Sequence, residues 1–339
     1  MAQDVVAPLE LEGSERPKRP AWRQVLTLAR QHPLGVFGLF IVATLVFAGV
    51  FGDLLPVHDA EKLVLTNKQA SPSLAHPFGT DNLGRDVLGR TILGARISLL
   101  VGLVSVTVGI TIGSFLGVLS GYAGKFIDSV IQRGVDILLA FPAVVLLLAI
   151  ITVTGDDTAF KDFLVDYTQI PENRFLGIPV FLDIFIISVG IGIAVAVGTV
   201  RVVRGAVLSL KENVYIDAAR AMGASDARIM LKHIFPNVAA LVVVLASVFL
   251  PIAILAEAAI SFLGIGVPEG TPSWGADLTG NNREDTRNGI WWPVFFPGLA
   301  LSLVVLGFNL LGDAFRDIAD PRLRGGGGGG GGGGGPPGL

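Results

Sequence analysis

The chain has 339 residues, of which 51% are hydrophobic and only 16% are charged, and its mean hydropathy is +0.66. Soluble domains carry about 25% charged residues, so this composition indicates a protein dominated by membrane-embedded segments. The formal net charge of −3 gives no support for nucleic-acid binding, and the absence of cysteine excludes disulfides, thiolate catalysis and cysteine-based metal sites.

Six uncharged runs have the length of a membrane span. A helix that crosses a bilayer needs about 20 apolar residues, within a range of roughly 17–25. The runs lack the alternation of membrane strands, so we interpret all of them as helices. The sequence therefore predicts an all-α polytopic membrane protein with six transmembrane helices, at Leu34–Phe51, Ile97–Gly124, Ile137–Gly155, Ile184–Val200, Ile234–Ala256 and Asn288–Gly312.

Residues 1–33 form a predicted amino-terminal segment ahead of the first span, which we place at 34–52. Within it, Ala21–Gln31 puts its apolar side chains on one helical face, with arginines beside them. This pattern predicts a helix in the lipid headgroup layer, and a simple cytosolic leader is the alternative. Lys and Arg placement puts both termini and the loop after the fourth span in the cytoplasm.

Residues 53–96 are predicted to form an extracytoplasmic loop, and Asp81, Arg85 and Asp86 lie in a turn-rich part of it. We interpret these three residues as an ion-paired structural corner. In the predicted membrane core, 97–315, the second span carries a glycine at every fourth position: Gly109, Gly113, Gly117 and Gly121. This spacing indicates close helix packing, although such glycines also permit helices to slide.

Several polar residues lie in or beside the predicted spans. Glu257 is the only carboxylate within a span, which makes it a candidate for the substrate pathway or a gate, with a structural acid as the alternative. Asn309 is a second, weaker pathway candidate and predicts an interhelical hydrogen bond. Arg201 and Arg204 are interpreted as anchors to lipid phosphates, with gating as the alternative. Asp136 is predicted to cap the third span.

The loop 206–236 is the most informative segment because it is polar, helix-forming and amphipathic although it only connects two spans. Gly223 is predicted to end one short helix, and Ser225 to begin the next by accepting a backbone N–H. Pro236 suits the first turn of the fifth span. We interpret the loop as a docking surface, with an amphipathic hairpin that has no partner as the alternative.

Residues 316–339 are predicted to be a cytoplasmic tail, and its eleven glycines, 325–335, are linker-like. The sequence contains no P-loop, zinc-protease or nucleophile-elbow motif and offers no catalytic or metal-ligating set. Any process that requires energy would therefore draw it from another polypeptide. A membrane-embedded enzyme is the remote alternative, and a secondary transporter would require coupling charges in several spans.

Within the loop 206–236, Tyr215–Pro236 resembles the EAA loop of bacterial ABC importer permeases, the short helical element that docks on a separate ATPase subunit. Asp217 stands where that pattern prefers Glu, His233 where it prefers Ile, and Phe235 where it prefers Leu. The resemblance implies an ATPase-coupling role for Asp217, Ala218, Ala219, Gly223, Ala224, Ser225 and Pro236.

Three further segments resemble the second, C-type permease of the dipeptide, oligopeptide and nickel importers: His76–Gly102, Glu257–Gly275 and Phe308–Arg324. This resemblance implies a type I ABC importer permease fold, which is not an enzyme by itself, in a bacterial inner membrane. It also implies as partners a paralogous permease, two ATPase subunits that hold ATP and Mg²⁺, an extracytoplasmic binding protein and membrane lipid, with no cofactor on this chain. Contact with this binding protein is the alternative role for Asp81, Arg85 and Asp86. Peptides are the expected substrates, with nickel or another small solute as the alternative.

Overall fold

The computed structural model describes residues 29–54, 63–155, 178–268, 270–279, 282 and 286–319. These residues are almost entirely helical, and the extended structure among them is a single isolated bridge between Thr80 and Asp86. The predicted all-α membrane class is therefore confirmed. The α-helices are α1 Pro33–Phe51, α2 Val87–Tyr122, α3 Lys125–Leu139, α4 Ala143–Gly155, α5 Ile178–Leu210, α6 Val214–Ala221, α7 Asp226–Ile229, α8 Phe235–Phe262, α9 Trp274–Asp277 and α10 Trp292–Ala319.

The second span begins earlier than its apolar run predicts. Helix α2 starts at Val87, so the loop predicted at 53–96 is wrong in its last ten residues. Asp86 caps this helix by accepting the Gly89 N–H at 2.9 Å, and Arg90 enters the first turns because Asp277 neutralises its charge. A span predicted from an uninterrupted apolar run ends at the first charged residue, whereas the helix itself continues through Arg90.

Other predicted boundaries shift for the same reason. Helix α5 extends to Leu210 and α8 begins at Phe235, so the connection between them is shorter than the predicted loop 206–236. Helix α10 continues to Ala319, which places the first residues of the predicted tail, 316–319, inside a helix. Only residues 29–31 of the predicted interfacial helix, and 316–319 of the predicted tail, lie among the described residues.

The third span is broken rather than continuous. Helices α3 and α4 are bent by 97° relative to one another, and Pro142 lies between them. Proline favours such a break because it lacks the N–H that a helix interior uses. Asp136 lies inside α3, close to its end, so the prediction that Asp136 caps the third span is wrong.

Helices α2 and α5 run in the same direction along the glycine stripe Gly109, Gly113, Gly117 and Gly121. A Cβ added at these glycines would lie 2.6–3.1 Å from the carbonyl oxygens of Gly192, Ala196, Val200 and Arg204, in that order. Only glycine permits this approach, so the predicted packing role is confirmed. Two parallel spans require a return crossing between them, and among the described residues the bent α3–α4 pair is the candidate for it.

In the described chain, five helices are long and apolar enough to cross a membrane, and the bent α3–α4 pair is a candidate sixth. Helix α10 is antiparallel to α1, because Gly35 approaches Ala314 whereas Gly38 approaches Gly307. His32 at the start of α1 lies 3.7 Å from Asp317 near the end of α10. These two helix ends therefore lie on one face of the protein.

Helix α8 is antiparallel to α2: Ser98 contacts Glu257 near one end of the pair, and Tyr122 contacts Asp226 at the other. The connection between α5 and α8 consequently lies on the same face as the end of α2 and the start of α1. The beginnings of α2 and α10, together with α9, lie on the opposite face. The sequence analysis placed both ends of the chain and the loop after the fourth span on one side of the membrane. The start of α1, the end of α10 and the connection between α5 and α8 lie on one face, which agrees with that prediction.

Candidate functional site

The connection between α5 and α8, residues 211–234, is hereafter called the lever. Its first helix, α6, is terminated by Gly223, which follows the cap residue Met222 and has a positive φ of 81°. The Gly223 N–H donates to the Arg220 carbonyl at 2.9 Å, and the Ala224 N–H donates to the Ala219 carbonyl at 3.0 Å. This pair of bonds is a Schellman motif, which favours glycine at the left-handed position. The predicted helix end at Gly223 is confirmed.

The second arm of the lever continues directly into the fifth span. Ser225 occupies the N-cap position of α7, but its side chain accepts no capping hydrogen bond, so the predicted role of its hydroxyl is wrong. Its carbonyl instead accepts the Ile229 N–H at 3.0 Å. One π-helical turn, Met230–Ile234, then joins α7 to α8, whose first turn contains Pro236 as predicted. The second arm is therefore continuous with a long span.

The lever has a buried apolar face that fixes it to the membrane helices. Ile216, Ala219 and Ile229 pack in one cluster with the ends of α2 and α5, represented by Val118 and Val207. Burial of an isoleucine side chain contributes about 1.5–3 kcal/mol, so these contacts hold the lever in place. The lever is thus a packed element of the fold rather than a loose loop.

The opposite face of the lever is exposed and carries large apolar side chains. Val214 is 83% exposed, Met222 is 82% exposed and Leu231 is 70% exposed. Five of the seven predicted coupling residues are exposed: Asp217, Ala218, Gly223, Ser225 and Pro236. Of the other two, Ala219 is buried and Ala224 is half-buried. Exposed apolar residues around a small-residue surface are typical of a protein interface.

Two arginines at the end of α5 have carboxylate partners on α3. Arg204 donates two hydrogen bonds of 2.6 Å to Asp128, and Arg201 pairs with Asp136. Both arginines are therefore part of the α3–α5 contact, which the prediction of simple lipid anchors missed. Their partners lie 65 and 76 residues earlier in the chain, so local spacing gives no signal for these pairs.

Glu257 is completely buried and accepts hydrogen bonds from three serines. Ser98 of α2 donates at 2.8 Å, Ser261 of α8 at 2.9 Å and Ser273, which precedes α9, at 2.7 Å. Among the described residues its carboxylate has no ion-pair partner, and hydrogen bonds stabilise it instead. Glu257 therefore joins three elements at the face opposite the lever. Of these serines, only Ser261, four residues along the same helix, was detectable from spacing.

A buried ion pair that the sequence did not reveal lies near this cluster. Arg90 donates from Nε to Asp277 at 2.8 Å, and its Nη1 donates to the Gly270 carbonyl at 3.2 Å. Burial raises the pKa of the Asp277 carboxyl, and the charge and hydrogen bonds of Arg90 offset part of that increase. The pair attaches α9 to the first turns of α2.

The predicted ion-paired corner is confirmed at the same face. Arg85 donates from Nε to Asp81 at 2.7 Å, and His76 lies 3.0 Å from the Asp86 carboxylate. Trp292 at the start of α10 donates to the Thr80 carbonyl at 3.0 Å. The segment before α2 is thereby fixed to the last span.

Asn309 is exposed and forms no hydrogen bond with any described residue, so the predicted interhelical bond is not made within this part of the chain. A cavity of about 470 Å³ lies between α1, α2, α8 and α10. Neither Asn309 nor Glu257 lines it, and its wall is apolar apart from Arg96. The two pathway candidates therefore occupy separate environments.

The apolar helices define a polytopic membrane protein, and the lever is a packed helical element on one of its faces. Residues 109–325 match the family model described as binding-protein-dependent transport system inner membrane component. The chain therefore belongs to this family of transport permeases. This family membership agrees with the resemblance noted in the sequence.

Characterised relatives match nearly the whole chain. The dipeptide transport system permease protein of Alkalihalophilus pseudofirmus is 35% identical over 303 residues, which cover 89% of this chain and 90% of the relative. The corresponding dipeptide permease of Bacillus subtilis is 34% identical, with 93% and 90% covered. The glutathione transport system permease protein of Pectobacterium atrosepticum is 36% identical, with 91% and 92% covered.

Proposed function

We propose that this chain is a permease subunit of an ATP-driven importer of dipeptides and oligopeptides in a bacterial inner membrane. The similar proteins named above carry dipeptide and glutathione, itself a small peptide, in their descriptions. Their names favour a peptide over nickel or another small solute. In this proposal a paralogous permease completes the pathway, and an extracytoplasmic binding protein delivers the substrate to it.

The observation that carries the coupling role is the two-sided construction of the lever. One face is packed on the ends of α2, α5 and α8, and the other presents Val214 and Met222 outward. An ATPase subunit that grips the outward face would therefore move the membrane helices with it. The proposal places the lever and both termini in the cytoplasm, with ATP and Mg²⁺ on the ATPase subunits.

Transport then follows alternating access. ATP brings the two ATPase subunits together, and this favours one of two conformations of the permease pair. The docked lever shifts this equilibrium by transmitting to the spans the difference in binding free energy between the two conformations. This chain supplies the pathway and receives the movement, whereas the partner subunits hydrolyse the nucleotide.

Glu257 acts as a latch in this proposal rather than as a substrate ligand. Its carboxylate is enclosed by three serines and has no exposed surface, so a passing peptide does not reach it in this conformation. Opening the outer side would separate α2, α8 and the segment before α9, which these hydrogen bonds join. Asn309 stays a pathway candidate, because its exposed side chain is free to face the paralogous permease.

Co-purification tests the proposal. The tagged chain, expressed with its paralogous permease and ATPase subunits, is expected to retain the ATPase, and Met222→Glu is expected to reduce this retention. Leu74→Glu is the matched control, because Leu74 is fully exposed on the opposite face. Failure of the unaltered chain to retain an ATPase, or equal loss in both variants, would overturn the proposed coupling surface.

A further inference from the structure

Two successive residues at the end of α2 hold the two arms of the lever. Lys211, where the lever begins after α5, donates from Nζ to the Gly121 carbonyl at 3.3 Å. The Tyr122 hydroxyl donates to Asp226 Oδ1 at 2.6 Å, and Asp226 is the first residue of α7. The end of α2 therefore contacts the lever on both sides of the turn at Gly223.

Tyr122 also contacts the first lever helix, α6. The Arg220 guanidinium carbon lies 5.5 Å from the centre of the Tyr122 ring, a distance typical of a cation–π contact. The ring itself is buried in the apolar cluster that holds the lever, so its orientation is fixed by packing. A fixed ring presents its hydroxyl to Asp226 without the entropy cost that a mobile side chain would incur.

Helix α2 is in turn joined to α5 along the glycine stripe. A Cβ at Gly121 would lie 2.7 Å from the Val207 side chain, and a Cβ at Gly117 would lie 2.8 Å from that of Val203. Two helices that approach this closely cannot shift independently by much, because their backbones are in contact. A displacement applied at Tyr122 therefore acts on α2 and α5 together.

We propose that Tyr122 is the positioning residue that transmits lever movement to the paired helices α2 and α5, through its hydrogen bond to Asp226. This inference rests on the proposed function, because it names the contact through which the lever acts. The remaining lever contacts in the cluster are apolar and non-directional, and the Lys211 bond to the Gly121 carbonyl holds only the start of the lever. The Tyr122–Asp226 bond is directional and spans from α2 to the second arm.

The test measures how many ATP molecules are hydrolysed for each peptide transported by the complete complex in proteoliposomes. Tyr122→Phe and Asp226→Ala are each expected to raise this ratio by roughly threefold to tenfold, the range for the loss of an ordinary hydrogen bond. The double variant is expected to resemble the more affected single variant, because both remove one interaction. Asp226→Glu, which keeps the carboxylate, is expected to restore most of the coupling.

Thr107→Val is the matched control, because it removes a hydroxyl of α2 whose one hydrogen bond to a described residue goes to the Leu103 carbonyl of the same helix. Should Tyr122→Phe reduce the amount of assembled complex, Asp226→Ala is the decisive variant, because Asp226 is exposed and its substitution leaves the packing of the Tyr122 ring intact. Unchanged ratios in both single variants, or additive effects in the double variant, would overturn the inference. If the Tyr122 inference is overturned but Gly223→Val still uncouples transport, the coupling role of the lever is retained and only the role of the Tyr122 contact is wrong. If Gly223→Val also leaves transport coupled, the proposed coupling role of the lever is wrong as well.

Discussion

The Ser98 hydroxyl donates a 2.8 Å hydrogen bond to the Glu257 carboxylate, although 159 residues separate the two in the chain. Both side chains are completely buried, one on α2 and the other on α8. Because a buried carboxylate is stable only when its oxygens are hydrogen-bonded, this contact fixes how the two helices meet at the face opposite the lever.

Ser98→Ala is expected to destabilise the permease by about 1.5–3 kcal/mol, the range for a hydrogen bond to a charged group. Ser105→Ala is the matched control on the same helix: Ser105 is equally buried, and its hydroxyl has no hydrogen-bond partner among the described residues. Thermal denaturation of the purified complex is expected to separate the two variants. Equal melting temperatures would show that the Glu257 cluster does not hold α2 and α8 together.

Glu257→Gln is expected to lower peptide uptake without lowering assembly. The amide keeps the size of the side chain but has only one acceptor oxygen, so one of the three serines loses its acceptor. Uptake into proteoliposomes, normalised to the amount of assembled complex, checks this prediction. Unchanged uptake would remove the proposed latch role.

Gly113→Ala is expected to destabilise the contact between α2 and α5, because a Cβ at this position would lie 2.5 Å from the Thr199 Cβ and 2.8 Å from the Ala196 carbonyl oxygen. Overpacking of this kind costs about 1–3 kcal/mol. Gly134→Ala on α3 is the control, because no atom lies within 4 Å of its added Cβ. A thermal shift as small for Gly113→Ala as for Gly134→Ala would contradict the observed helix contact.

Arg90→Met is expected to be far more destabilising than Arg201→Met. The first substitution leaves the buried Asp277 carboxylate without its partner, which costs about 3–5 kcal/mol. The second removes an exposed pair with Asp136, worth about 0–1 kcal/mol. The melting temperatures of the two variants test this order directly, and the reverse order would refute the assignment of the buried pair.

Gly223→Val is expected to leave the chain inserted in the membrane but to uncouple ATP hydrolysis from transport. Gly223 has a positive φ that β-branched residues avoid, so valine distorts the turn between the two lever helices. Asparagine tolerates this conformation better, so Gly223→Asn is expected to keep most of the coupling. Normal transport by the valine variant would count against the lever.

The spans, the turn at Gly223, the glycine stripe and the corner at Asp81 and Arg85 could all be predicted from the sequence, because each depends on residues close together in the chain. Helix ends could not, since charges such as Arg90 enter a helix when a distant partner neutralises them. The broken third span also escaped, because its apolar run continues through the break near Pro142.

In the candidate site, too, local features could be predicted from the sequence and contacts between distant residues could not. The lever was recognisable because it is a local amphipathic pattern, and its turn follows from glycine alone. Ser98 as a partner of Glu257, and the partners of Arg204 and Tyr122, were not recognisable, since each lies on another helix and shares no spacing with the residue that it contacts. Ser225 does occupy the predicted N-cap position, but its hydroxyl accepts no backbone N–H, and a sequence pattern does not report how a side chain is oriented.

Thiol labelling of a single introduced cysteine tests the central claim most directly. The chain contains no cysteine, so Met222→Cys carries one reactive group on the exposed face of the lever. We expect a membrane-impermeant maleimide to label it in inside-out vesicles, not in right-side-out vesicles, and bound ATPase subunits to block the labelling. Labelling from the outer side, or labelling that the ATPase subunits leave unchanged, would contradict a cytoplasmic lever that docks on an ATPase.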